Sequence, residues 1–170
     1  AKLGGVGILI AIHWVTFFAS IKASNVSIAL TMLAVSPMFV GFLEPVFFRR
    51  KIDLKEIFIA AVVIVGVAIT LRYSSGYESG VFLGLVSALF ASLFVTINGV
   101  LIKEQDASNI SLVELFFASL VVFLFMAVRG EVSIALIRME MMDWVYITIL
   151  AVVATSFAFI AYTHVMKVLT

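Results

Sequence analysis

The sequence predicts an all-α membrane protein with six transmembrane helices. Of its 170 residues, 64% are hydrophobic and 12% are charged, and the mean hydropathy is +1.26. Water-soluble domains are about 45–50% apolar and about 25% charged, and a soluble fold of this length could not bury so much apolar surface. The apolar runs are too long for barrel strands and lack strand-like alternation. Since a backbone in lipid must satisfy its own hydrogen bonds, we expect helices.

Six apolar segments approach the roughly 20 residues that cross a bilayer core. They are 4–23, 26–48, 55–72, 80–102, 110–128 and 144–167. Residues typical of helix starts lie at the beginning of three of them. Asp53 with Glu56 predicts a capping box for the third segment, and Ser111 with Glu114 predicts one for the fifth. Asp143 is the expected N-cap of the sixth.

Basic residues in the connections predict the orientation. Six spans place both termini on one side, which has seven Lys and Arg residues, whereas the other side has four. The seven are Lys2, Arg49, Arg50, Lys51, Lys55, Lys103 and Lys167. The positive-inside rule therefore places residues 49–55 and both termini in the cytoplasm of a multi-pass inner-membrane protein. Val132, Ala135, Met139 and Met142 share a face, which indicates a short interfacial helix within 131–142.

A weak internal repeat joins the first and last spans. Shifting the chain by 145 positions aligns 11–25 with 156–170 and places Lys22 on Lys167. The two helices run in opposite directions in the predicted topology, and repeats of opposite orientation are typical of transporters.

Ala1 leads directly into an apolar segment, which we interpret as a chain cut upstream rather than as a signal peptide.

The first two segments carry the longest stretch of a family resemblance that covers the whole chain. The stretch FFASIKASNVSIALTMLAVSPMFVGFLEPVFFRRKI resembles the third-to-fourth helix region of EamA-type transporters of the drug/metabolite transporter superfamily. The matching positions are Ala19, Lys22, Ser24 or Asn25, Pro37, Glu44 and Arg49–Lys51. GVAITL (66–71) resembles the fifth helix of that family, SALFASLF with the glycines before it resembles the start of its second repeat, and DWVYITILAVVATSFAFIAYTHVMK resembles its eighth helix. The family's usual Gly-Glu before the basic turn is replaced here by Phe48-Arg49.

The resemblance implies part of a ten-helix fold made of two inverted five-helix repeats. On that mapping the chain carries helices three to eight. Residues 1–75 are then the C-terminal part of the first repeat, and residues 76–170 are the N-terminal part of the second.

Polar side chains inside the first span are candidates for a solute cavity, because polar groups at membrane depth usually face protein or water. His13, Thr16 and Ser20 recur at i, i+3 and i+7 on one helix face, and Trp14 or Phe17 could stack on a solute. The competing interpretation is helix–helix packing. It is favoured for all three, and more strongly for Thr16 and Ser20, whose hydroxyls can bond their own backbone.

The second span contains a kink signal and a carboxylate. Ser36 precedes Pro37, which removes a main-chain donor and frees a carbonyl that could line a cavity. A purely structural kink is the alternative. Glu44 is either a gate or proton-linked carboxylate, or it pairs with Arg49 or Arg50 at the interface, which we favour.

The fourth and sixth spans supply the remaining candidates. Ser92 and Thr96 lie four apart on one face, whereas Asn98 is turned away by about 160°. Asn98 either lines the site or makes an interhelical hydrogen bond. Thr155 and Tyr162 share a face of the sixth span and could complete the cavity. A proton-coupling role for Glu114 is the alternative to its expected place in a capping box.

The function that the resemblance implies is export of a small metabolite, amino-acid-like or otherwise polar or amphipathic, by alternating access. Two rivals remain open, namely a membrane scaffold or accessory subunit and an intramembrane enzyme. Cysteine is absent and the two histidines have no carboxylate cluster, so no metal, cofactor or catalytic residue is predicted. The expected partners are the lipid bilayer and a small-molecule solute, without nucleic acid, and a homodimer is left open.

Overall fold

The computed structural model describes residues 2–73, 75–132 and 139–169, with side chains described as far as Val165. Its elements are α1 (Lys2–Ala23), α2 (Val26–Leu33), α3 (Ser36–Phe48), α4 (Leu54–Tyr73), α5 (Glu78–Leu101), α6 (Ala107–Val128), α7 (Met141–Ile149), a π-helical segment (Leu150–Phe157) and α8 (Ala158–Leu169). No strand occurs in these ranges.

Six helical stretches are long and apolar enough to cross a membrane. They are Lys2–Ala23, Val26–Phe48, Leu54–Tyr73, Glu78–Leu101, Ala107–Val128 and Met141–Val165. The predicted all-α fold with six transmembrane helices is therefore confirmed. We refer to these stretches as the first to sixth spans.

The second span is broken between α2 and α3. Asn25 caps α2 through its side chain, which accepts a hydrogen bond from the Ile28 N–H at 3.0 Å. The helix ends at Leu33, and α3 begins at Ser36 with Pro37 in its first turn. Proline is tolerated in the first turn of a helix because the N–H it lacks would have no helical partner there. The predicted kink is thus a complete interruption of the α-helix.

Two of the three predicted helix starts need correction. The Asp53 N–H donates to the Glu56 carboxylate at 2.9 Å, which agrees with the predicted capping of α4. However, α6 begins at Ala107, four residues before Ser111, and its cap is Asp106, which accepts from the Ser108 N–H at 3.1 Å. The predicted Ser111 capping box is wrong because an earlier residue with the same capping ability, outside the apolar segment, starts the helix.

The sixth span also starts earlier than predicted. Its N-cap is Glu140, and Asp143 lies three residues later, where its carboxylate accepts from the Glu140 N–H at 2.9 Å. Asp143 therefore supports the cap instead of forming it. The interfacial helix expected within 131–142 falls mostly on 133–138, outside the described residues.

The chain divides into two compact units. One unit comprises residues 12–100, and its core cluster is Ile28, Met32 and Val81, with Val67 and Leu85 packed against it. The other comprises residues 1–11 and 101–170, and there α6 packs against α8.

Most apolar side chains of α4 and of the sixth span are exposed. Such surfaces are typical of helices that face lipid or further helices.

Candidate functional site

The polar residues of the first span meet α5 along an antiparallel seam. His13 Nδ1 lies 2.9 Å from Ser87 Oγ and 3.0 Å from the Ser87 carbonyl oxygen. Seven residues later on α1, and seven earlier on α5, Ser20 Oγ donates to the Gly80 carbonyl at 2.6 Å. Because seven residues are close to two helical turns, both contacts lie on the same face of each helix. His13 and Ser20 are thereby brought together along one interface.

Small residues on α5 allow this close approach. A Cβ added to Gly84 would lie 2.6 Å from Met32 Cβ and 3.1 Å from Ser20 Oγ. A Cβ added to Gly80 would collide with Ser24. Glycine at these two positions is therefore required by the distance between the helices, as in other membrane interfaces that are rich in small residues.

His13 is half-buried and flanked by aromatic rings. Its ring centroid lies 6.2 Å from that of Phe17 and 5.9 Å from that of Phe94, with interplanar angles of 31° and 57°. If Nδ1 donates to the Ser87 carbonyl, the Ser87 hydroxyl is able to donate to the His13 carbonyl, which is 3.1 Å away. In that tautomer Nε2 is a hydrogen-bond acceptor.

The other two candidates on α1 are half-buried. Thr16 Oγ1 lies 2.7 Å from the Ile12 carbonyl, so its hydroxyl is used by its own helix, as the packing interpretation expects. Trp14 neighbours His13 in the chain, but the helix turns by about 100° per residue, so the two side chains point in different directions.

The break in the second span forms a second polar contact with α5. Ser36 Oγ donates at 2.7 Å to the Leu33 carbonyl, which is the carbonyl that Pro37 leaves without its usual N–H. Ser92 Oγ lies 2.9 Å from the Ser36 carbonyl and 2.7 Å from the Ala88 carbonyl of its own helix. The freed carbonyl is thus occupied by a neighbouring side chain, while the broken segment itself is held against α5.

Thr96 and Asn98 lie further along α5 and are fully buried. Within the described part of the chain, Thr96 Oγ1 has no hydrogen-bond partner. This is unusual in a membrane helix, where threonine ordinarily donates to the carbonyl four residues earlier. The spacing of the two residues predicts that Asn98 points away from Thr96. Asn98 is nevertheless buried and does not face lipid.

Thr155 and Tyr162 lie in the other compact unit. Thr155 belongs to the π-helical segment and is half-buried, and Tyr162 on α8 is 39% exposed. Their predicted common face assumed a regular α-helix, and the wider π turn changes that geometry. Next to Tyr162, Thr163 is buried, and its hydroxyl oxygen lies 3.4 Å from Ser111 Oγ on α6.

Sequence reasoning missed Ser87 and Phe94 at the His13 site, and it assigned Glu114 to a helix end. The spacing Gly80, Gly84 and Ser87 is the one signal that could have found the serine, because it continues one face of small residues on α5. Glu114 is fully buried two turns inside α6. Ser111 and Glu114 have the spacing of a capping box, and for this reason the sequence predicted Glu114 at the start of the helix instead of in its interior.

The predicted ion pair of Glu44 is confirmed with Arg50. One guanidinium nitrogen of Arg50 lies 2.7 Å from Glu44 Oε2, and the guanidinium also binds both carboxylate oxygens of Glu56 on α4. The hydrogen bonds to Glu56, and to a smaller extent the one to Glu44, raise the pKa of Arg50 further above its already high value. Arg50 therefore stays charged and joins the end of α3 to the start of α4.

Comparison with known proteins agrees with a membrane transporter. Residues 1–72 match the EamA-like transporter family. A curated relative from Archaeoglobus fulgidus, described as an uncharacterized transporter, is 31% identical over 121 residues. That alignment covers 69% of this chain and 42% of the relative, so the chain spans less than half of the relative's length. No solved structure matches the chain significantly. The resemblance seen in the sequence is confirmed over residues 1–72: this is a multi-pass membrane protein that is similar there to the EamA-like transporter family.

Proposed function

We propose that the protein exports a small amphipathic metabolite of the amino-acid type by alternating access, with the His13 group as part of its binding site. The family match and the transporter name of the relative support membrane transport in general. The observation that carries the finer proposal is the half-buried imidazole of His13, set between Phe17 and Phe94 inside a membrane span.

The chemistry of the His13 group favours a particular kind of solute. Nε2 can accept a hydrogen bond from an ammonium or hydroxyl group, while the two phenyl rings offer an apolar surface and, for a cation, their electron-rich faces. A solute with both an amine and an apolar portion satisfies both. Polar groups kept within a span usually serve such a pathway.

The repeat organisation is part of the same proposal. We assign residues 1–75 and 76–170 to two inverted halves, which rock against each other around the solute. The family match ends at Arg72, close to the boundary that the sequence pattern suggests. The chain's share of its relative's length is consistent with further helices completing the cavity in the whole protein.

Counterflow in proteoliposomes tests the proposal. Vesicles containing the full-length gene product and loaded with unlabelled amino acids should take up the same labelled amino acids in saturable exchange. Aromatic and large aliphatic amino acids should exchange best. Absence of exchange for all amine-bearing solutes tried, with folded protein in the vesicles, would contradict the proposal and favour a scaffold.

Two substitutions of His13 separate solute binding from packing. H13N keeps a polar atom near the position of Nδ1, which faces Ser87, whereas H13Q keeps one near the position of Nε2. If His13 binds the solute through Nε2, H13Q should retain more counterflow than H13N. The control is T70A, which removes an exposed hydroxyl bonded to its own helix at 2.9 Å. Equal activity of H13N and wild type would assign His13 to packing alone.

A further inference from the structure

Glu114 occupies an unusual position for a carboxylic acid. It lies seven residues beyond the start of α6, about 10 Å along the helix axis at 1.5 Å per residue. Its side chain is fully buried, and α6 is long and apolar enough to cross the membrane. Among the residues that the structure describes, it is the one Asp, Glu, Lys or Arg that is fully buried.

A structural role at the helix end does not explain Glu114. Asp106 already caps α6, and Ser111, the supposed partner in a capping box, donates its hydroxyl to the Ala107 carbonyl at 2.9 Å. A carboxyl group inside a span is costly when ionised, and such residues typically belong to ion or proton pathways. The position therefore calls for a functional explanation.

The part of α6 that carries Glu114 is tightly packed against its neighbours. One turn earlier, Ser111 reaches Thr163 of α8. The helix α1 also packs closely against α6. A Cβ added to Gly7 would lie 2.8 Å from the main-chain carbonyl oxygen of Glu114 and 2.6 Å from Phe117 Cβ. The full burial of the Glu114 side chain keeps bulk water away from its carboxyl group.

We propose that Glu114 is a proton-binding site that couples solute export to proton movement. With its proton the side chain is a neutral acid suited to the membrane interior, and without it the group is an anion that must be exposed or compensated. The proton would enter from the aqueous phase on one side of the membrane and leave to the other during the transport cycle. This inference rests on the proposed transport function and adds its coupling ion.

A permanent ion pair is the competing explanation, and the neighbouring elements define its candidates. The cationic or titratable residues in the parts of α1 and α8 that belong to this unit are Lys2, Tyr162, His164 and, by sequence, Lys167. In the segment leading to α6 they are Lys103, Glu104 and Asp106. A lasting partner among these cations would keep Glu114 ionised at all pH values near neutrality.

Infrared spectroscopy tests protonation without any solute. Reconstituted protein is titrated between about pH 5 and about pH 9, a range above the ordinary titration of glutamate near 4.3. We expect a carbonyl stretching band of a protonated acid at neutral pH that is absent from E114Q and present in the control E78Q, which alters an exposed carboxylate of α5. Identical bands in wild type and E114Q would show an ionised Glu114 and overturn the proposal.

A flux measurement tests coupling separately from transport. In the counterflow assay, E114Q should still exchange solute, because exchange needs no net proton movement. Solute movement driven by an imposed pH gradient should be lost in E114Q and kept in E78Q. If E114Q folds poorly, E114D serves instead, and it should keep the response to the gradient. Gradient-driven movement in E114Q equal to wild type would refute the proton site, whereas missing counterflow in wild type would refute the transport function.

Discussion

Single atoms decide how closely α5 approaches its neighbours. At Gly84, a methyl group would meet Met32 Cβ at 2.6 Å, which is below any ordinary carbon–carbon contact. At Gly66 on α4, an added methyl group would meet nothing within 4 Å. Gly84 is therefore needed for close helix packing and Gly66 is not, although each appears in the sequence as a glycine within an apolar helix.

This difference predicts opposite effects of the same substitution. G84A should destabilise the protein by about 1–3 kcal/mol, because an overpacked interface must shift. G66A should be neutral or stabilising by up to about 1 kcal/mol, because alanine favours helix over glycine. Thermal unfolding in detergent measures both. Equal effects of the two changes would mean that α2 and α5 are not in close contact.

Residue-level prediction was most reliable where chemistry and spacing agree. His13 and Ser20 were placed on one face, and both contact α5. Glu114 shows the limit, because a serine followed three residues later by glutamate fits a helix start and a helix interior equally well. Deciding between them needed Asp106, which lies outside the apolar segment that defined the helix.

Capping of α6 is testable at the level of the element. D106A should cost about 1 kcal/mol, the usual value of an N-cap side chain, because the Ser108 N–H loses its acceptor. E104A, which removes a nearby exposed carboxylate outside the helix, is the control. Chemical denaturation in mixed micelles provides the comparison. An unchanged D106A protein would return the helix start to Ser111.

The broken second span makes its own prediction. S36A should destabilise the protein by about 0.6–1.5 kcal/mol, since the Leu33 carbonyl loses the hydroxyl that replaces its main-chain donor. T31A is the matched control, because Thr31 is exposed and donates to Ser27 of its own helix at 2.8 Å. A smaller loss for S36A than for T31A would show that the freed carbonyl needs no partner.

At the scale of the whole molecule, the orientation remains a prediction from basic residues. The chain lacks cysteine, so single cysteines report their side of the membrane directly. S75C should react with a membrane-impermeant maleimide on intact cells, and K51C should react only after permeabilisation. The opposite pattern would place residues 49–55 outside the cell.

The six spans were predictable because hydropathy and span length depend only on composition along the chain. The contacts between helices were not, because lipid is as apolar as leucine and the choice of face is made by small residues and hydrogen bonds. Ser87 illustrates this, since nothing in its local sequence marks it as the neighbour of an imidazole 74 positions earlier. The π-helical segment likewise has no signal in a run that reads as ordinary α-helix.

The replacement of a peptide donor by the Ser36 hydroxyl has a mechanical consequence. A main-chain N–H can release its acceptor only if the backbone turns, whereas a hydroxyl leaves by rotation about χ1. Bending between Leu33 and Ser36 therefore breaks the hydrogen bond of the Ser36 hydroxyl, worth about 1 kcal/mol, and strains the turn in which the Val35 N–H donates to the Met32 carbonyl at 3.1 Å, but it requires no unwinding of α2 or α3. The second span therefore consists of two helices that can bend relative to each other at the turn between them, because neither helix depends on the other for its main-chain hydrogen bonds.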